Sequence, residues 1–145
     1  MKIKFYIILL YAFFINLPAA AHHDEFNIFL IENSENIIKS SAKTVDSILR
    51  DIQSFDDEIV SRFLELWKSK SLYYIKDTKQ VVIVNENEES LDALEIDGLT
   101  RIGNYSKKEI KKIKPNSGVR AKIDSILVKY QISCLLYTSP SPRDA

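Results

Sequence analysis

LYYIKDTKQVVIV, residues 72–84, is the stretch that decides the fold. Two runs of aromatic and β-branched side chains, Leu72–Ile75 and Val81–Val84, flank the polar segment Lys76–Gln80. Such side chains pack well on a pleated sheet, whereas the Asp and Thr of the middle segment favour a turn. The stretch therefore predicts a β-hairpin.

Upstream of the hairpin, apolar residues recur with a helical period. Steps of three and four over Asn36–Ile52 predict a first helix, with Ser34 as its N-cap. After a break at Gln53–Phe55, the acidic run Asp56–Glu58 opens a second helix, because the helix dipole favours acids in the first turn. The pair predicts an αα-hairpin; a helical-repeat unit is the alternative, although one pair is too few to define a repeat. The apolar face of the second helix comprises Ile59, Val60, Phe63, Leu64 and Trp67.

Downstream, the sequence predicts one more strand and two helices. A third short strand is expected within Leu94–Ile102, interrupted by Asp97-Gly98. Ser106–Glu109 has the spacing of a capping box and predicts a short helix that Pro115 closes. The fold class is α+β: N-terminal helices, a β-hairpin with a third short strand, then two C-terminal helices. The apolar sides of these two helices comprise Ile110 and Ile113, and Val119, Ile123, Ile126, Leu127 and Tyr130.

The N-terminus has the pattern of a secretory signal peptide. Lys2 and Lys4 precede the uncharged run Phe5–Leu17, and Ala19-Ala20-Ala21 supplies the small residues of a cleavage site. The run is 13 residues long, whereas a membrane-spanning helix needs about 20. We expect cleavage between Ala21 and His22; an uncleaved anchor is the alternative.

The C-terminus has a different character. Cys134–Ala145 shows no helical or strand period, and Pro140 and Pro142 oppose regular structure. The string resembles a translated sequencing adaptor, so we expect the native reading frame to diverge at or just before Cys134; a genuine Pro/Ser tail is the alternative. The expected domains are a signal peptide (1–21), an exported domain (22–133) and an adaptor-derived tail (134–145).

Composition and charge exclude several functional classes. Twenty basic and twenty acidic residues give no net charge, and 46% hydrophobic residues exclude simple disorder. The single Cys excludes a disulfide scaffold and a multi-thiolate zinc site. Residues 22–97 hold 17 acids and 8 bases, whereas 98–133 hold 2 acids and 9 bases. Attraction between the two parts within one fold is the favoured interpretation, and contact with a partner or anionic lipid is the alternative. No nucleic acid is expected behind a signal peptide.

Two clusters have the side chains of a metal site. His22–Glu25 combines two imidazoles with two carboxylates, the ligands of a transition metal, but a frayed N-terminus is the favoured interpretation. Glu86, Glu88 and Glu89 offer calcium ligands, but they lack the regular spacing and the Gly of a calcium loop. We expect a solvated loop there and no metal site.

Two further clusters could carry chemistry or binding. Asp56–Glu58 could be paired carboxylates for acid–base work, although a helix start explains them better. Trp67, Tyr73 and Tyr74 could form a stacking platform, although core packing is favoured. The sequence has no Gly-rich phosphate loop and no Ser/His/Asp motif, so we expect neither an enzyme nor a cofactor.

One ordered set of residues carries a family resemblance over about 50 positions. In chain order, the set comprises Leu72, Tyr73, Lys76, Val82, Leu99, Thr100, Gly103, Lys107, Ile110, Lys111, Lys112, Ile113, Asn116 and Arg120. This set resembles the exported N-terminal region of the urea ABC transporter permease subunit, which is similar to the branched-chain amino-acid permeases. The chain departs from the family pattern at Tyr105, which replaces Val, at Ile110, which replaces Leu, and at Pro115 and Ser117.

The resemblance implies a fragment of a urea importer at the periplasmic face of the bacterial inner membrane. Its implied partners are a second permease, ATPase subunits and a substrate-binding protein, with membrane contact through a permease core that follows. It implies no catalytic residues in this region. The alternative is a free periplasmic helical protein-interaction module with no membrane part. The downstream reading frame discriminates the two, since several apolar stretches of about 20 residues would favour the transporter.

Overall fold

Helices, then strands, then a final helix follow one another along the chain, which confirms the α+β class. The computed structural model describes the backbone of residues 21–87 and 90–138 and the side chains of 24–87 and 90–132. The helices are α1 (Ala21–Glu32), α2 (Ser34–Ile38), α3 (Val45–Asp51), α4 (Asp57–Lys68) and α5 (Ser117–Thr138), with a 3₁₀ turn at Ile52–Ser54. The strands are β1 (Tyr73–Ile75), β2 (Val81–Glu86), β3 (Leu91–Leu94), β4 (Arg101–Tyr105) and β5 (Ile110–Lys112).

Helix α4 forms as its sequence predicts. The Asp56 side chain accepts a hydrogen bond of 3.0 Å from the backbone N–H of Glu58 and so caps the helix. This capping role confirms the helix-start interpretation of the acidic run. The apolar face is buried, as expected, at Ile59, Val60, Phe63, Leu64 and Trp67.

The prediction of one continuous helix over Asn36–Ile52 is wrong. Helix α2 ends at Ile38 and α3 begins at Val45. In the break, the Ser41 backbone N–H donates to the Thr44 hydroxyl at 3.0 Å, and such local side-chain bonds compete with helix formation. Ser34 is not the N-cap either, because Asn33 holds that position and Ser34 is buried inside the first turn of α2.

The five strands form one antiparallel sheet in the order β4-β3-β2-β1-β5. Tyr73 pairs with Val82, which confirms the predicted hairpin. The predicted third strand is in fact a second hairpin, β3–β4, with Asp97-Gly98 in its turn. There the Asp97 carboxylate accepts hydrogen bonds from the backbone N–H groups of Leu99 and Thr100, and Gly98 has a φ of 76°, which glycine adopts without strain.

The predicted short helix at Ile110 and Ile113 is wrong, because Ile110–Lys112 forms strand β5 beside β1. The capping-box bonds do exist: the Glu109 carboxylate accepts from the Ser106 N–H at 2.8 Å and from the Ser106 hydroxyl at 2.7 Å. They close a single turn, after which Ile110 pairs with Ile75 and both side chains are buried. Consequently one C-terminal helix, α5, stands where two were expected.

The sheet is curved, because the chain segment between its two edge strands is too short for a flat sheet. Strands β4 and β5 are opposite edges of the sheet, yet the short link from Tyr105 to Ile110 joins them. Five residue steps span at most about 18 Å, and a 3.0 Å hydrogen bond from Glu109 N to Ser106 O folds the link into a turn. Four strand spacings in a flat sheet would hold the edges about 19 Å apart. The sheet must therefore bend so that the link can join its two edge strands, which do not pair with each other.

The two faces of the sheet belong to two hydrophobic clusters. Tyr74, Val81 and Ile83 point to the helices and join a helical core. The opposite face holds a sheet core of Ile75, Val82, Leu91, Ala93 and Ile110, packed by Tyr73, Val84, Ile102 and Tyr105. Every member of the sheet core lies on a strand, as expected for the inside of a curved sheet. The buried members of the helical core are Phe26, Leu30, Ile37, Val45, Ile48, Leu49, Ile52, Ile59, Val60, Phe63, Leu64, Trp67, Leu72, Val81, Ile96, Ile113, Val119, Ile123 and Leu127.

Helix α5 packs against α3 and α4 and runs on to Thr138. The expectation of no regular structure from Cys134 onward is therefore wrong for 134–138, whose backbone is helical. Pro140 and Pro142 lie outside the described residues, as does Ala19 of the expected cleavage site. Ala21 and His22 begin α1, and cleavage between them stays a prediction.

Candidate functional site

Several residues that carry the family resemblance have structural roles. Leu72, Val82, Ile110 and Ile113 are all buried, in one or the other core. The Asn116 side chain caps α5, accepting a 2.9 Å hydrogen bond from the Val119 N–H. Folding alone accounts for residues of this kind.

The exposed members of the set include a group of lysines. Lys111 and Lys112 are exposed on β5, Lys107 and Lys108 are exposed in the turn before it, and Lys114 is exposed just after it. We call these five residues the lysine edge. Lys108 and Lys114 belong to the same basic segment of the sequence, 107–114.

The remaining members lie apart from the lysine edge. Leu99 and Thr100 stand at the tip of the β3–β4 turn, with Leu99 88% exposed. Lys76 follows β1, and Gly103 lies in β4, close to the Tyr105 ring. The backbone N–H of Arg120 donates to the Asn116 carbonyl at 3.0 Å, within the first turn of α5. Of the exposed residues that carry the family resemblance, the lysines are therefore the ones that the structure places on one common surface.

Backbone geometry makes β5 an open strand edge. The Ile113 N–H donates to the Leu72 carbonyl at 2.9 Å, and the Lys76 N–H donates to the Glu109 carbonyl at 2.8 Å. Residues 109, 111 and 113 thus direct their backbone groups toward β1. Successive residues of an antiparallel strand point to opposite sides, so the groups of Ile110 and Lys112 point outward, where the sheet order has no further strand.

A groove runs beside the open edge. It has a volume of about 480 Å³ and lies between the end of α2 and β5. On the other face, Lys112 Nζ stands 5.4 Å from the centre of the Tyr73 ring, a cation–π distance. The groove residues are Ile38, Tyr74, Ile110, Lys111, Lys112, Ile113 and Lys114, of which Ile38 had no signal in the sequence because it belongs to a distant helix.

The lysine edge is not neutralised by the rest of the described chain. The ion pairs found in 24–87 and 90–132 involve other bases. Glu109, the one acid between Lys107 and Lys114, is held by Ser106. The Ser106 backbone N–H and then its hydroxyl lower the pKa of that carboxyl. Attraction between acidic and basic parts is seen instead in α5, where Lys122 pairs with Asp46 of α3.

The other sequence clusters are only partly described, since the side chains of His22 and His23 lie outside the described ones. The described residues hold no group of three or more His, Cys, Asp or Glu side chains that could bind a metal ion. Glu88 and Glu89 lie outside those residues. Trp67 is fully buried, with its ring 5.4 Å from that of Phe63, which confirms the core-packing interpretation for this residue.

A second groove of about 440 Å³ lies between α4 and α5. Asp57 and Glu58 line it together with Tyr130, and burial, then the Asp57 carboxylate, raise the pKa of the Tyr130 phenol. The raised pKa keeps the Tyr130 phenol protonated, which makes it a weak nucleophile. The lysine edge is therefore the stronger candidate for a binding surface.

No family model, curated protein or solved structure matches this chain. Within its described part, no helix combines the length and apolar character that crossing a bilayer requires.

Proposed function

We propose that the chain is the extracytoplasmic N-terminal domain of the permease subunit of a urea ABC transporter. In this role it is exported, stands at the periplasmic face of the inner membrane and binds other transporter subunits. It performs no chemistry of its own, and ATPase subunits elsewhere drive import.

One observation carries the proposal. The residues of the family resemblance run from Leu72 to Arg120, a stretch that contains all five strands and ends in the first turn of α5. Within that stretch, buried members contribute to the two cores and Asn116 caps the helix, while the lysines stay on one exposed edge. The lysines are thus the part of the motif that folding does not explain, and they support a binding role.

The genomic locus supplies the first test. We expect the reading frame beyond residue 133 to encode several apolar stretches of about 20 residues each, beside genes for ATPase subunits. Long-read sequencing across the locus measures this directly. An early stop codon in independent DNA would instead support a free periplasmic interaction module.

Urea uptake supplies the second test. Deleting the gene in the organism that carries it should abolish uptake of radiolabelled urea at micromolar concentration, and the full-length gene should restore it. Uptake of a branched-chain amino acid serves as the matched control, since it should not change. Loss of amino-acid uptake with intact urea uptake would reassign the substrate.

A further inference from the structure

We propose that the lysine edge binds an extended, acidic segment of a partner protein, which adds as a sixth strand beside β5. The inference rests on the proposed function in one respect, namely that the partner is another transporter subunit. The surface and the chemistry of its ligand follow from the backbone and side chains of β5 and its neighbours.

The backbone of β5 offers the first half of the interaction. Ile110 and Lys112 direct their N–H and C=O groups away from β1. The open edge ends near Lys114, because the next residue, Pro115, has no N–H group. An extended segment laid along this edge can exchange main-chain hydrogen bonds with it, as in strand addition. The open edge is short, so main-chain bonds alone give little affinity and side chains must add to it.

The lysines offer the second half and select the partner. Lys111 and Lys112 alternate between the two faces of the strand, so positive charge flanks the edge on both sides. Opposite charges directly across a strand pair attract and like charges repel. A segment with acidic residues at adjacent positions is therefore the one that fits both faces.

The groove beside β5 fits one side chain of such a segment. Ile38, Tyr74 and Ile113 give it an apolar floor, and lysines form its rim. A β-branched residue between the acids would lie over this floor. The preferred ligand thus has the pattern acid-acid-aliphatic-acid-acid.

The same charges argue against a second copy of this chain. Pairing β5 with β5 would set lysines opposite lysines, which is the arrangement that natural sheet edges use to prevent association. A bilayer with anionic headgroups would attract the lysines but would leave the outward backbone groups of Ile110 and Lys112 without a role. An acidic strand uses both features.

The test measures binding of the full chain to a fluorescein-labelled peptide, Thr-Glu-Glu-Val-Glu-Glu-Thr, by fluorescence anisotropy. The matched peptide replaces every Glu by Gln. We expect the acidic peptide to bind at least about tenfold more tightly, since several cross-strand charge pairs each contribute up to about 1 kcal/mol. Equal binding of the two peptides would overturn the proposal.

Two variants at one position separate strand addition from charge attraction. Lys112→Ala removes the charge and keeps the outward N–H, whereas Lys112→Pro removes both at an edge position that proline can occupy. We expect Lys112→Pro to bind the acidic peptide several-fold more weakly than Lys112→Ala. Equal affinities would overturn strand addition, and Trp67 fluorescence establishes that both variants are folded.

Two further measurements address the other ligands. The chain should bind vesicles of phosphatidylglycerol no more tightly than it binds the acidic peptide. Analytical ultracentrifugation should show no dimer that depends on the lysine edge, that is, no dimer that the variant Lys111→Glu would dissociate. Vesicle binding without peptide binding, or such a dimer, would overturn the proposal. Because neither assay involves urea, an unchanged urea uptake in the deletion strain would refute the transporter assignment and leave the docking surface standing.

Discussion

The helical core and the sheet core are built by different means. The helical core unites all five helices with one face of the sheet and contains the largest buried side chains, including Phe26, Phe63 and Trp67. Its rings interlock, with Phe26 and Phe63 in an edge-to-face contact at 5.6 Å. The sheet core instead consists of smaller aliphatic side chains enclosed by the curvature of the sheet.

This difference separates stability from binding. The helical core contains far more of the described buried apolar side chains than the sheet core does, so we expect most of the hydrophobic stabilisation to come from there. The sheet core sets the curvature of the strands and thereby positions the lysine edge. Since Leu72 and Val81 join the helical core, we expect the two regions to unfold together.

The largest expected effect is at the centre of the helical core. Phe63→Ala removes a fully buried ring that contacts Phe26 and Trp67, and should lower the free energy of unfolding by about 3–5 kcal/mol. Urea denaturation followed by circular dichroism measures the loss. Phe55→Ala is the control, because that ring is only partly buried, and its cost should be smaller.

In the sheet core, Ile75→Ala should cost less, about 2 kcal/mol, since the half-buried neighbours can move into the space. The variant Ile75→Ala also tests whether the sheet core and the helical core unfold cooperatively. Trp67 is the only tryptophan and lies in the helical core, so its fluorescence reports that region. We expect fluorescence and circular dichroism to shift together; an unshifted fluorescence transition would mean two independent units.

At the junction of the two regions, Asn116→Ala should lower the free energy of unfolding by about 1 kcal/mol, because it removes the side-chain cap of α5. Asn36→Ala is the matched control: Asn36 is exposed in α2, and its loss should have almost no effect. Thermal unfolding of both variants compares them. Equal effects would mean that the cap contributes nothing.

The smallest effect concerns the link that closes the sheet. Hydrogen bonds from Ser106 lower the pKa of Glu109 below its ordinary value of 4.5. A depressed carboxyl pKa contributes stability that is present above the unfolded value and is lost as the pH falls through the folded value. Glu109→Gln should therefore flatten the decline in stability below about pH 4.5, as acid titration of the melting temperature would reveal. An unchanged acid limb would contradict this role.

The sequence correctly predicted those elements whose apolar residues follow a single helical or strand period. Helix α4 has acids in its first turn and an unbroken apolar face, and the β1–β2 hairpin has two β-rich runs around a polar turn. Local chemistry and packing agree in both, which is why these predictions hold. In the lysine edge, the motif residues were predicted, but their common surface depends on the β1–β5 pairing, which no local pattern encodes.

The misses have physical causes. Helix α1 was not predicted because its apolar side chains are distributed over all its sides. Phe26 and Leu30 are buried while Ile28 and Ile31 are about half exposed, so the sequence shows no single apolar face. Strand β5 was predicted as a helix because the capping-box bonds are real. The free edge of β1 then decides the outcome, since it offers Ile110 a strand partner and a place in the sheet core.

The short link between opposite sheet edges has a consequence for the order of assembly. Strands β1 to β4 pair through successive hairpins. Strand β5 instead pairs with β1, so Lys112 lies opposite Tyr73 although the other three strands separate them along the chain. Contacts between residues so distant along the chain form late, because closing a long loop costs entropy before it gains any contact. We therefore expect the lysines to take up their arrangement late in folding, and a chain in which β5 has not yet paired with β1 to present them as an unstructured basic segment.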